Sequence, residues 1–293
     1  MPTLSTTISA FVAAREYDRA TLARLAFWDD TLGAREISDI TPEDVDLALV
    51  QLAERGRLVP RRGKITEPAG SPMSAATFNR YVSQLASVFK YARRLRLLPR
   101  AHVPPTRGVE KSPEPADPNR YLRAEEVERI LAVTRLLDTR WGKLSALILV
   151  AFHTGLRVGN LMSLRWGDVD LERRTITVLK TKNGRPQVSA LSARAAEALR
   201  KLPKHDPEAL VFEGRDGKPF AFRRLWSRVC IEAGLPARNF HQLRHGCGHA
   251  MATAGVGQAQ IMAVMGHCTL TASARYMHAD ATDKLNTVDR VFG

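Results

Sequence analysis

The sequence predicts a mainly α-helical protein with one small β-hairpin, divided into two domains. Three observations carry this expectation. Apolar residues recur at i, i+3, i+4 and i+7 through long stretches of the chain. One segment, RTITVLKTKNGRPQVSAL at 174–191, instead alternates β-branched residues on either side of Lys182-Asn183-Gly184. Between the periodic regions lies HVPPTRGVEKSPEPADPNR at 102–120, whose prolines and charges suit an exposed, semi-extended connection. Domains are therefore expected at 1–103 and 120–293, joined by a proline-rich linker over 104–119.

The first domain reads as all-helical. TPEDVDLALVQLAERG (41–56) opens with a capping Thr41 and early acids and stops at Gly56. SAATFNRYVSQLASVFKYARRLRLL (74–98) has Ser74 as its cap, and Phe78, Tyr81, Val82, Leu85, Val88 and Phe89 follow helical spacing. That helix ends in a basic cluster, Lys90, Arg93, Arg94, Arg96 and Arg100, and the loop before it carries Arg61, Arg62 and Lys64. Each cluster alone is most often a solvated face; together they suit a surface that grips a phosphate backbone.

In the second domain, RAEEVERILAVTRLL (123–137), the apolar run LSALILVAF (144–152) and SARAAEALRKL (192–202) read as helices. Beyond 202 the chain is expected to be helical to its end, with turns at Gly234-Leu235-Pro236, Gly255 and Gly266.

Composition narrows the function. The 293 residues include 44 Lys+Arg and 30 Asp+Glu, a net charge of +14. Residues 1–110 carry 16 basic and 12 acidic groups (+4), and the remainder 28 and 18 (+10), so both domains are expected to face one polyanion, a nucleic acid. The 144–152 run is too short to cross a bilayer. The start, MPTLSTTISAFVAAREYD, lacks the basic opening and long apolar stretch of a signal peptide. Cys230, Cys247 and Cys268 read as reduced thiols. The expectation is a cytoplasmic, nucleoid-associated protein.

HQLRHGCGH at 241–249 has the histidine density of a zinc site. But Gln242 stands where a zinc protease needs its glutamate base, and His245, Cys247 and His249, at i, i+2 and i+4, do not share a helical face. No metal is expected, and these three read as packing residues. A phosphate site is the better reading. Arginine is permanently charged, planar and bidentate toward phosphate oxygens, and Arg157 in TGLRVGN and Arg244 in HQLRH are the candidates. His241 precedes Arg244 by three residues and is expected on the same helical face. Tyr276 supplies a phenol whose ordinary pKa of about 10 requires nearby cations or a base before it attacks. Lys182, at the tip of the hairpin, is placed to protonate a leaving oxygen. Taken singly, Tyr276 reads as a packing residue, Arg157 as an ion-pair partner and Lys182 as merely exposed; their joint order is what argues for a site.

TGLR, the hairpin lysine, HQLRH, MGH and a tyrosine nine residues past His267 together resemble the tyrosine recombinase family, the phage integrases and Xer-type recombinases. The resemblance covers most of 121–278, and the helical region before it is similar to the family's core-binding domain. It implies a SAM-like helical core-binding domain and an α+β integrase catalytic domain that clamp DNA. It further implies a site-specific recombinase that cuts and rejoins strands through a 3′-phosphotyrosine at Tyr276, with no metal, ATP or other cofactor. In it Arg157, Arg244 and His267 hold the phosphate, Lys182 is the acid and His241 the base or positioning group. Asn160 stands where many members carry an acidic residue and keeps a supporting role without the charge. Lys180 flanks the same turn as Lys182; Lys182 is preferred because it immediately precedes Asn-Gly.

The implied partners are a specific double-stranded DNA site and a homo-tetramer on two duplexes, with a monomer or weak oligomer alone. Accessory DNA-bending or directionality proteins belong to the same expectation. No arm-binding domain is evident before the first helical region. Two other readings are a DNA-binding accessory protein that has lost catalysis, against which the full residue set argues, and a type IB topoisomerase.

Overall fold

The computed structural model describes the chain except for residues 57, 62–63, 69–71, 115–120, 139–141, 180–185, 204–205, 216 and 267–293, and the backbone alone at 58–61 and 64–68. The chain forms two compact units, Met1–Ala116 and Asp117–Gly293.

The first unit contains α1 (Leu4–Ala13), α2 (Arg19–Leu32), α3 (Pro42–Arg55) and α4 (Ala75–Arg94). The expected caps are in place. Thr41 and Asp44 form a reciprocal capping box at α3, and the Ser74 hydroxyl accepts from the Thr77 N–H at α4. The helices bury Leu4, Leu25, Trp28, Leu85 and Phe89, and burial of each such side chain contributes about 1.5–3 kcal/mol. The Trp28 indole N–H donates to the Tyr81 carbonyl at 3.0 Å, so this core leaves no cost at its largest ring.

Two features depart from expectation here. The unit is not all-helical: β1 (Leu58–Arg61) pairs antiparallel with β2 (Lys64–Pro68), with Arg61 opposite Lys64. The basic residues read as a loop therefore sit on a β-ribbon, whose joining positions, Arg62 included, lie outside the described residues. Second, the proline-rich stretch is laid against the first unit instead of leaving it at residue 104. Pro105–Arg107 form a 3-10 turn and Pro105 is buried. The Asn79 amide donates to the Ser112 carbonyl and to Glu114 at 2.9 Å each, while its oxygen accepts from the Ser112 N–H. The buried amide compensates for the ordering that proline-rich composition otherwise resists.

The second unit is built around α6 (Lys143–Thr154), whose residues from Ala146 to Phe152 are all apolar and buried. Packed against it are α5 (Ala124–Leu137), α8 (Ala193–Arg200) and α10 (Gln242–Thr253). A short α7 (Val158–Met162) leads to a three-stranded antiparallel sheet, β3 (Val169–Asp170), β4 (Thr175–Val178) and β5 (Gln187–Ala190), in that order. The expected hairpin is β4–β5, with Thr175 opposite Ala190 and Val178 opposite Gln187; its Asn-Gly turn lies outside the described residues. The chain is not helical throughout after α8. Residues 206–215 and 217–222 run as turns and isolated bridges, Arg165 to Leu210 and Glu213 to Pro219, before α9 (Arg223–Glu232), α10 and α11 (Gln258–Met265).

Candidate active site

The TGLR segment is a helix ending that aims its arginine. Gly155, in the left-handed conformation (φ 63°), terminates α6, and its N–H returns to Ala151 at 3.0 Å. The buried Thr154 hydroxyl donates to the Val150 carbonyl at 2.6 Å and accepts from the Leu156 N–H at 3.2 Å. Arg157 follows directly as the extended N-cap residue of α7, partly exposed. A side chain on Gly155 would meet Cys247 Sγ at 3.3 Å and Met265 Cγ at 3.4 Å, so position 155 is short of room as well as left-handed.

A second helix ends the same way. Gly266 (φ 61°) caps α11, one residue before His267. Arg244, in the first turn of α10 and only 5% exposed, joins the two ends. One terminal nitrogen donates to the Gly155 carbonyl and the other to the Met265 carbonyl at 2.8 Å. The last carbonyls of a helix lack intrahelical partners and carry its negative dipole end. A buried guanidinium supplies both the missing donors and the complementary charge. Its own desolvation is offset by the same contacts.

The helix that carries Arg244 packs closely enough to require glycine. A Cβ on Gly246 would stand 2.2 Å from the Leu122 carbonyl oxygen and 2.9 Å from Phe152 Cε2. His241 is the N-cap residue of α10 and exposed, whereas Arg244 turns inward, so the pair expected on one face differs sharply in burial. The His241 ring meets His245 edge-on at 4.9 Å, and His249 stacks on Tyr121 at 3.9 Å. Burial pushes the Cys247 thiol up to about 12, against the lowering effect of Arg244. Among the described residues these three thus pack against protein groups.

Asn160, on α7, is partly buried, and among the described residues its side-chain nitrogen meets no hydrogen-bond acceptor. Lys180, Lys182, His267, Cys268 and Tyr276 lie outside the described residues. What the structure brings together is Arg244 with the backbone leading into Arg157 and into His267, and the start of β5 with the end of α11. At that second junction Gln187 Nε2 donates to the Val264 carbonyl at 3.0 Å.

In the first unit Lys90, Arg93, Arg94, Arg96 and Arg100 are all exposed. Arg93 and Arg100 line a groove of ≈ 570 Å³ with Arg107 and Lys111, two cations of the proline-rich stretch that the sequence reading passed over. Their signal was their place among prolines, where a 3-10 turn holds Arg107 against α4. Gln187, Gly155 and Gly266 were also missed as site residues. For the glycines a signal existed: in both TGLR and MGH a glycine ends an apolar helix just before a basic residue.

The model of the phage integrase family matches residues 120–283, more than half of the chain. The chain belongs to that family, the tyrosine recombinases. Among its relatives, the type 1 fimbriae regulatory protein FimE of Escherichia coli K12 is 26% identical over 174 residues, spanning 55% of this chain and 87% of that protein. Tyrosine recombinase XerC of Roseiflexus castenholzii is 26% identical over 261 residues, spanning 82% and 74%. Among solved structures, the Tn1549 transposon integrase in complex with circular intermediate DNA is similar with a TM-score of 0.72 at 18% identity, over 98% of this chain and 99% of that one. A lambda integrase dimer bound to a COC′ core site gives 0.62 at 18%, over 96% and 78%. At such identities the likeness is one of fold.

Proposed function

We propose that this chain is a site-specific DNA recombinase that breaks and rejoins strands through a covalent 3′-phosphotyrosine at Tyr276. The observation that carries the reading is Arg244, a buried cation fixed between the backbone that leads into Arg157 and the backbone that leads into His267. Pre-oriented cations stabilise the extra negative charge of a phosphorane-like transition state without reorganising during the reaction.

In the proposed step the Tyr276 oxygen attacks the scissile phosphorus, forming a P–O bond as the bond to the 5′-oxygen breaks. His241 takes the phenolic proton, and Lys182 delivers a proton to the departing 5′-oxygen. Arg157 and Arg244 hold the non-bridging oxygens, and His267 adds a hydrogen bond. Attack by a different 5′-hydroxyl reverses the chemistry, so the phosphodiester energy is retained and no ATP is consumed. Asn160 supports the site as a neutral amide.

The substrate is double-stranded DNA with a specific site. The exposed cations of α4 and of 107–111, with the Arg61–Lys64 ribbon, contact its backbone, a sequence-independent grip that falls with salt. The working assembly is a tetramer on two duplexes, with accessory DNA-bending proteins where the site requires them. The DNA-bound Tn1549 and lambda integrase neighbours support this reading of the partner. Incubation with a nicked half-site in EDTA tests the proposal. A covalent protein–DNA adduct on a denaturing gel is expected, and an adduct that forms only with divalent metal would contradict it.

A further inference from the structure

Strand β5 breaks the rule that apolar side chains face inward. Along Gln187-Val188-Ser189 the two polar residues are buried, at 9% and 1% exposure, while Val188 is 63% exposed. Local violations of patterning concentrate where a site needs them, and this one follows the segment that carries Lys182. Among the described residues Val178 and Gln187 form the last pair of the β4–β5 ladder, with Lys182 between them in the sequence.

The Gln187 side chain leaves its own sheet. Its Nε2 donates to the Val264 carbonyl at 3.0 Å, in the last turn of α11, and to the Ser189 hydroxyl at 3.2 Å. Its Oε1 lies against Gly266: a Cβ built there would stand only 2.2 Å away. The glycine that ends α11 thus also makes room for the amide. A hydrocarbon side chain of similar length would leave a helix-terminal carbonyl and a buried hydroxyl without this donor.

We infer that Gln187 is a positioning residue: it ties the start of β5 to the end of α11, which Arg244 holds independently, and thereby aims the general acid Lys182. The inference rests on the reading of Lys182 as the acid. Its chemical consequence is specific. With the tie cut, protonation of the departing 5′-oxygen suffers, whereas attack by Tyr276 on a phosphate that needs no acid does not.

Cleavage of an ordinary site and of the same site with sulfur in place of the bridging 5′-oxygen separates these steps, because the thiolate leaves without a proton. Gln187→Met keeps the side chain's volume and removes its polar atoms. Gln187→Asn, one methylene too short to reach Val264, serves if the first variant does not fold. Relative to the unaltered protein, cleavage of the ordinary site is expected to slow by about tenfold to a hundredfold, the scale of a misplaced catalytic group, with the sulfur site restored to within about threefold. Lys182→Ala is the reference. If it is rescued by sulfur while the Gln187 variants slow equally on both sites, or slow on neither, the inference is overturned and the acid stands. If Lys182→Ala slows both sites equally, the acid reading falls and the inference with it.

Discussion

Arg244 donates to the main-chain oxygen of Met265 at 2.8 Å while its other terminal nitrogen holds Gly155. One side chain thereby cross-links two helix ends, each closed by a left-handed glycine and each followed closely by a residue of the proposed phosphate site. The arginine is structural and electrostatic at once, which sets it apart from Arg157.

Replacing the two arginines separates these roles. Arg244→Ala strands two helix-end carbonyls, and unfolding in urea is expected to show a loss of about 1–3 kcal/mol, together with a fall in strand cleavage of about a hundredfold or more. Arg157→Ala, at a partly exposed N-cap position, is expected to lose cleavage on a similar scale while stability changes by about 0.5 kcal/mol or less.

Gly246→Ala sets two effects against each other. Alanine in a helix interior is favoured over glycine by about 1 kcal/mol. Here its methyl would lie 2.2 Å from the Leu122 oxygen and 2.9 Å from Phe152, and overpacking of that kind costs about 1–3 kcal/mol. The clash involves backbone and wins, so a lower denaturation midpoint is expected for Gly246→Ala.

Cys230 and Cys247 are buried, and burial pushes each thiol up to about 12. At pH 8 only roughly one thiol in ten thousand is then ionised, and the thiolate is the reactive form. Iodoacetamide is expected to leave both unlabelled in the folded protein and to label both in denaturant, as read by peptide mass spectrometry.

Acid is expected to weaken the fold partly through His153. Burial holds its pKa below the ordinary 6.5, the Arg194 charge adds to that, and Glu128 opposes it; its Nδ1 meets the Ser192 hydroxyl at 2.5 Å. The folded state binds this proton less readily than the unfolded chain. The contribution is therefore full above about pH 6.5 and is lost as pH falls toward the folded value. His249 shifts in the same direction, chiefly through burial. Urea midpoints between pH 7.5 and 5.5 should fall in the unaltered protein and fall less in His153→Gln.

Local signals carried much of this architecture. Thr41, Ser74 and Ser192 each cap the helix expected after them, and the alternation in TITV and QVSA marks β4 and β5, because caps and pleats are written in neighbouring residues. The β1–β2 ribbon was hidden because Pro60 lies within β1, and proline is tolerated in a strand only where the pair is short and at an edge. The staple of Arg244 was illegible because its acceptors are backbone oxygens 89 and 21 residues away, and a carbonyl has no letter in the sequence. Gln187 was passed over for a related reason: a polar residue alternating with Val188 reads as the solvent face, and only the approach of α11 reverses that assignment.

In the proposed reaction Tyr276 becomes bonded to DNA. Trapping the protein on a suicide half-site, digesting it and sequencing the nucleotide-bearing peptide by mass spectrometry tests this most directly. The expected result is a 3′-phosphonucleotide on the peptide containing Tyr276, a free 5′-hydroxyl on the released strand, and no adduct with Tyr276→Phe. An adduct on another residue, or one that persists in Tyr276→Phe, would contradict it.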